Sequence, residues 1–192
     1  MRASVAVVHD LVSGLAAGDE LEAEHRAETL RWLKTTDDVF RRVKPATPRR
    51  HLVSYVVPVD PVDGSVLLVN HLKAGLWLPP GGHVDPDEHP TQTARREAQE
   101  ELGIDADSNI GERPVFLTVT RTVGVDVHTD ASLWYVLSVH RRQRMVFDQT
   151  EFREARWWLT AEIRAADPAQ FDPHLTRFLA KIGPLPIRLK SG

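Results

Sequence analysis

The stretch GGHVDPDEHPTQTARREAQEELGI, residues 81–104, holds four glutamates (Glu88, Glu97, Glu100 and Glu101) against two arginines. The run from Thr91 to Leu102 predicts a helix, with Gly103 where a C-terminal cap glycine belongs. At about 100° per residue from Ala94, Thr91, Ala94, Ala98 and Leu102 share an arc from roughly 0 to 80°, fit to pack on a sheet. Glu97, Glu101 and Glu100 fall at roughly 300, 340 and 240°, with Arg96 beside Glu100 at roughly 200°. Like charges three and four residues apart each cost a few tenths of a kcal/mol on an isolated helix. Three carboxylates beside an apolar face therefore suit a helix whose charge is neutralised by a divalent cation. Hard oxygen donors favour magnesium or manganese, and magnesium shares its coordination with substrate phosphates. The pattern points to phosphate chemistry at a metal; a solvated helix face is the competing reading.

Such a helix needs a sheet to pack on. HLVSYVVPV and SVLLVNHL are β-branched and apolar, with the turn-like DPVDG between them, and predict a hairpin. Further strands are expected around PVFLTVTRTV, SLWYVLSVH and ARWWL, then a helix from near Thr160. A last helix is expected with Asp172 as N-cap, Pro173 as first residue, Gly183 beyond its end and Pro184 as a stop. Residues 4 to about 43 read as helical, with Val5, Val8, Val12 and Leu15 at helical spacing. There Asp19 caps a second helix that carries Leu21, Leu30, Leu33 and Phe40 toward Arg42. KPATPRR breaks that pattern as a linker. The expected organisation is a helical extension and linker over 1–48, an α/β (α+β) domain over 49–183 and a tail over 184–192. Trp77, Trp134 and Tyr135 are expected in the core, with base stacking as the alternative. Arg141, Arg142 and Arg144 read as a solvated strand end, with phosphate recruitment as the alternative.

The 192 residues are 42% hydrophobic and 27% charged with a formal net charge of −3, which suits a globular chain and argues against an extended nucleic-acid surface. There is no cysteine, which excludes disulfides and thiolate sites and fits a cytoplasmic location. His9 and Asp10 interrupt the N-terminal apolar stretch, so it does not read as a signal peptide. No apolar run approaches the roughly 20 residues that span a bilayer, so no membrane partner is expected.

From Gly82 the chain reads Gly, five residues, Glu88, seven residues, Arg96-Glu97, Ala98, Gln99, Glu100-Glu101, Leu102, Gly103, Ile104. This resembles the signature of the Nudix hydrolases, Gly-x5-Glu-x7-Arg-Glu-U-x-Glu-Glu-x-Gly-U, where U is a bulky aliphatic residue. All seven fixed residues are present, and Ala98 is smaller than the usual aliphatic. The resemblance covers residues 82–104 tightly and the strand order from about 50 to 160 loosely. It leaves the N-terminal helical segment unexplained.

The resemblance implies an α/β/α sandwich with a mixed β-sheet, here behind an N-terminal helical extension. It also implies Mg2+- or Mn2+-dependent hydrolysis of a phosphoanhydride in a nucleoside diphosphate linked to another moiety, so the partner is a small nucleotide-type diphosphate. Carried over residue by residue, Glu97, Glu100 and Glu101 are the implied metal ligands. Gly82 lets the backbone approach the metal, Glu88 and Arg96 pair to hold the loop on the helix, and Gly103 closes it. The general base is implied to be Glu100, Glu101 or Glu151, the last from EFREARWW, where Glu154 is the alternative. His83 is expected to approach a phosphate or the metal, and His128 with Asp130 to line the pocket mouth; turn residues are the competing reading for all three. The extension could cap the core, make a homodimer contact or cover the site. A non-catalytic nucleotide-sensing module is the alternative function, while isomerase chemistry on the same fold loses ground for want of a cysteine.

Overall fold

The computed structural model describes residues 2–43, 47–107, 109–122 and 127–183. Strand β1 (Arg50–Val59) lies at the centre of a seven-stranded sheet. Its alternation places Leu52 and Val56 in the core on one face and Val57 and Val59 in the core on the other. Along one side β1 runs parallel to β6 (Thr129–Ser138), from Arg50 against Thr129 to Val59 against Ser138. Its other side is divided between β2 (Val66–His71), met only at Val59 and Val66, and β4 (Gly81–His83), met from Val53 to Tyr55. Strand β5 (Phe116–Arg121) pairs with β6, and β2 carries β3 (Trp77–Leu78) and β7 (Phe152–Trp158). Every pairing except β1 with β6 is antiparallel, so the sheet is mixed.

Helices cover both faces. Val5, Val8 and Val12 of α1 (Ala3–Ser13) and Ala94, Ala98 and Leu102 of α3 (Pro90–Leu102) share one core with Leu52, Leu67 and Leu133. Ile163 of α4 (Thr160–Ala165) and Phe178 and Leu179 of α5 (Leu175–Ile182) share the other with Trp134 and Trp158. This is the α/β/α sandwich implied by the resemblance. Trp134 and Tyr135 are fully buried, and Trp134 stacks on Phe178 at 5.1 Å, so both belong to the core and the base-stacking alternative lapses.

Two helix expectations need correction. The second helix, α2 (Glu20–Leu33), is capped by Asp19, whose side chain accepts from the Glu22 amide, but it stops ten residues short of Val43. Beyond it the hydroxyls of Thr35 and Thr36 donate to the carbonyls of Trp32 and Asp38, and Asp38 accepts from the Phe40 amide. These short polar side chains compete with the helical ladder for the backbone. The last helix begins at Leu175 rather than Pro173, because Asp172 caps a preceding turn by accepting from the His174 amide at 2.7 Å. The tail over 184–192 and Pro184 lie outside the described residues.

Helix α2 does specific work at the sheet edge. Glu22, fully buried, accepts from the Leu117 amide of β5 at 3.1 Å, and His25 Nδ1 accepts from the Val119 amide at 3.2 Å. Spaced by three residues, these side chains lie on one face of the helix and take amides from alternate positions of the edge strand. Lys181 of α5 donates to Glu22 at 2.7 Å, and Arg177 pairs with Asp19. The extension thus caps the core from within the same chain.

This junction makes stability sensitive to acid. Burial pushes the His174 imidazole down from 6.5 to about 4, reinforced by Arg177 and His25; burial, then Arg177, lowers His25 as well. The unfolded chain then takes up these protons more readily than the folded one. Their contribution is complete above about pH 6.5 and is lost as pH falls toward about 4. The melting temperature should drop by several degrees between about pH 7 and about pH 5. His83 and His89 shift the same way, so His174→Gln should flatten the slope without abolishing it. Thermal scans across pH check this, and an identical slope in the variant would show that His174 is not a contributor.

Candidate active site

Helix α3 is punctuated at both ends. His89 Nδ1 accepts from the Thr91 amide, Pro90 opens the first turn, and Gly103 ends the helix in the left-handed region at φ 65°. The loop before it is tied down by one guanidinium. Arg96 donates from Nε to Glu88 Oε1 at 3.1 Å and from Nη2 to Glu88 Oε2 at 3.0 Å, a bidentate pair. Its Nη1 donates to Glu97 at 2.8 Å and Glu100 at 3.1 Å, and Nη2 reaches the His83 carbonyl at 3.4 Å. Thr93 adds a 2.7 Å bond from its hydroxyl to Glu88. Arg96 thus joins loop, strand β4 and helix.

The glycines of β4 let the helix carboxylates approach the strand. A Cβ on Gly82 would stand 2.3 Å from Glu97 Oε1, and one on Gly81, at φ 148°, would stand 2.3 Å from the Ser54 carbonyl of β1. The Gly81 amide donates to Glu101 Oε2 at 2.9 Å. These contacts separate two outcomes. Gly82→Ala meets the end of a flexible side chain, so the fold should survive with Glu97 displaced and turnover reduced at least about tenfold. Gly81→Ala meets backbone and strains φ, and should cost stability instead. Kinetics and thermal unfolding of both variants test the distinction.

The electrostatics ask for a cation. Glu97 and Glu101 are each only 8% exposed, whereas Glu100 is exposed. Burial, aided by Glu97, pushes the Glu101 carboxyl up to about 8, and burial also raises Glu97 in spite of Arg96. They face a pocket of about 490 Å3. Its wall holds six carboxylates (Asp85, Glu97, Glu100, Glu101, Asp130 and Glu151) against Arg41, Lys73 and Arg96. Arg96 is already engaged by Glu88, which deepens the surplus of negative charge. Glu97 and Glu100 accept from Arg96, and Glu101 accepts from the Gly81 amide. Oxygen donors from one helix, two of them buried, on the wall of a nucleotide-sized pocket fit a hard divalent ion.

Of the other residues singled out from sequence, His83, Asp130 and Glu151 line the pocket; Glu154 does not. Nor does His128, whose Nε2 lies behind Asp130, 3.3 Å from its Oδ1. Arg141 turns away, pairing with Asp63 at 2.9 Å near a separate surface hollow that Arg142 also lines. Sequence reasoning missed Arg41, Lys73, Tyr55 and His71 on the pocket wall and His51 behind it. Arg41 and Lys73 carried no motif. His51 had one usable signal, a histidine opening an otherwise apolar strand pattern.

A NUDIX domain model matches residues 49–181. The chain is 59% identical to the asymmetrical bis(5'-nucleosyl)-tetraphosphatase of Rattus norvegicus over 62 residues, which are 30% of this chain and 38% of that protein. It is 34% identical to the CTP pyrophosphohydrolase of Escherichia coli over 110 residues, 52% of this chain and 78% of that one. In the rat relative the match thus spans well under half of the protein's length. Among solved structures, the dihydroneopterin triphosphate pyrophosphohydrolase of E. coli aligns with a TM-score of 0.54 at 20% identity, over 74% of this chain and 95% of that chain. An Ap4A hydrolase of C. elegans aligns at 0.53 and 20% identity, over 68% and 93%. These structural likenesses speak to the fold.

Proposed function

The chain belongs to the NUDIX domain family, and on that premise we propose that it is a metal-dependent pyrophosphohydrolase cleaving a phosphoanhydride in a nucleoside diphosphate linked to another moiety. The observation that carries this is the pair of buried carboxylates, Glu97 and Glu101, set against the β4 glycines in a pocket with surplus negative charge. Glu97, Glu100 and Glu101 would hold Mg2+ or Mn2+. When bound, the ion neutralises phosphoryl oxygens and lowers the pKa of a coordinated water. The chain's own residues position the rest. Arg96 and Glu88 fix the loop, Gly82 sets the depth of Glu97, and Arg41 and Lys73 offer cationic groups to phosphate oxygens across the pocket.

A base must accept the proton of the attacking water. Glu151 is the reading we favour over Glu100 and Glu101, since it lines the pocket from the turn before β7 and is not held by Arg96. Glu151→Gln is expected to reduce kcat by about 10²-fold with the metal requirement unchanged. A rate equal to the parent's would leave the role to Glu100 or Glu101.

The names of the relatives support hydrolysis rather than a sensing module. The proposal includes a small nucleotide-type substrate and a cytoplasmic location; no described helix is long and apolar enough to cross a membrane. A homodimer through the extension would form with α2 still bound by its polar contacts to β5 and α5 of the same chain. The test is incubation with Mg2+ or Mn2+ and a panel of dinucleoside polyphosphates, nucleoside triphosphates and nucleotide sugars. Products are then identified by anion-exchange chromatography. Saturable nucleotide binding with no turnover across the panel would instead support the sensing module.

A further inference from the structure

Across strand β4 from the glutamate helix lies a second set of metal-binding groups. Among the described residues, a single group of three or more histidine, aspartate or glutamate side chains brings its ligand atoms within 4.8 Å of one another: His51, His83, His128 and Asp130. The pleat explains why this cluster stands apart from Glu97. Gly82 faces α3, while its neighbour His83 points to the opposite face of β4. His51 and Asp130 are paired positions of the parallel β1–β6 ladder, and His83 pairs with Val53, two residues beyond His51 on the same face of β1. His128 stands just before β6. Three elements thus deliver four ligands to one place.

Three imidazole nitrogens surround one carboxylate oxygen. The Nε2 atoms of His51, His128 and His83 stand 3.1, 3.3 and 4.0 Å from Asp130 Oδ1. His51 is fully buried, and its Nδ1 lies 3.0 Å from the Pro48 carbonyl. A carbonyl can only accept, so Nδ1 carries a proton and it is Nε2 that faces Asp130. Despite their 3.1 Å separation, His51 Nε2 and Asp130 Oδ1 share no hydrogen bond, and His83 Nε2 is likewise a buried atom without one. A buried ring nitrogen and a carboxylate oxygen held this close without a hydrogen bond are suited to share a bound cation. The three rings are packed closely, with centroids 4.7 Å apart for His51 and His83 and 4.8 Å for His51 and His128. One metal ion satisfies all four groups together.

We infer that His51, His83, His128 and Asp130 form a transition-metal site of the zinc class, separate from the Glu97–Glu100–Glu101 carboxylates. Three imidazoles and one carboxylate suit zinc, whereas magnesium prefers an all-oxygen shell with retained waters. Tetrahedral zinc would bring the ligand atoms to about 3.3 Å from one another, a short contraction of the cluster. The Pro48 carbonyl, bonded to His51 Nδ1, already supplies the outer contact that fixes a metal-binding imidazole. His83 and Asp130 also line the pocket, so the site forms part of its wall.

The test is zinc binding by the chelator-stripped 192-residue chain, followed by calorimetry and by metal analysis after gel filtration. With excess Mg2+ present to occupy the carboxylates, one equivalent is expected, with affinity reduced more than about 100-fold in H128Q and in D130N and kept in the E97Q/E101Q double variant. Circular dichroism establishes that each variant is folded, and using two ligand variants guards against the failure of either one. No zinc uptake by the parent protein, undiminished uptake by folded H128Q and D130N, or loss of uptake in E97Q/E101Q would each overturn the assignment.

Discussion

Replacing Glu101 by glutamine should lower kcat/KM for the metal-dependent reaction by about 10³-fold or more while leaving the melting temperature of the metal-free protein unchanged. Glu101 is 8% exposed, and burial beside Glu97 pushes its carboxyl up to about 8. In metal-free protein near pH 7 it is therefore mostly neutral, and glutamine copies a neutral carboxyl in shape. The amide oxygen still accepts from Gly81, at the position that Oε2 occupies at 2.9 Å. The fold thus loses little. The metal-bound state needs the full negative charge in a site shielded from water, and a loss of 10³-fold corresponds to about 4 kcal/mol of barrier. Steady-state kinetics and thermal unfolding of the same preparation measure both halves. Turnover within tenfold of the parent would remove Glu101 from the metal site.

Arg96→Ala is expected to be the most destabilising single change in the site, at about 2–4 kcal/mol, or roughly 6–12 °C in melting temperature. The guanidinium serves Glu88, Glu97, Glu100 and the His83 carbonyl at once. Truncation leaves Glu88 and Glu97, both mostly buried, without their cation and frees the loop that sets strand β4 against the helix. Arg96→Lys should recover only part, because one ammonium cannot reproduce the bidentate fork on Glu88 while also reaching Glu97 and Glu100. Added Mg2+ should stabilise the alanine variant less than the parent, since its ligands are no longer held. A melting temperature within about 2 °C of the parent would show that the loop is held by other contacts.

Much of this site was legible because its information is local. The helix bounds, the arc of Ala94, Ala98 and Leu102 toward the sheet and the left-handed Gly103 all follow from spacing along one segment. The strands around β1, β2, β5 and β6 were equally plain from their β-branched and apolar composition. What spacing cannot hold is pairing between distant segments. That His51 stands opposite Asp130 follows from the parallel β1–β6 register, which sequence periodicity leaves open. The sequence therefore offers His83 and His128 only as separate pocket or turn residues, with nothing to join them to each other or to His51. Arg41 and Lys73 reach the pocket from segments with no pattern of their own. The same limit hid the task of the extension, since only the fold brings Glu22 and His25 to the amides of Leu117 and Val119. The helix predicted through residue 43 failed for a different reason, because the Thr35–Asp38 side chains outcompete the apolar spacing locally.

The most direct measurement is a paired assay of the parent protein and E101Q on the best substrate of the panel, with Mg2+ and after its removal by chelation. Hydrolysis by the parent should require the metal and return when it is restored, and E101Q should stay at least about 10³-fold slower at every metal concentration. Turnover that survives chelation, or a fully active E101Q, would contradict a metal-dependent hydrolase built on this helix.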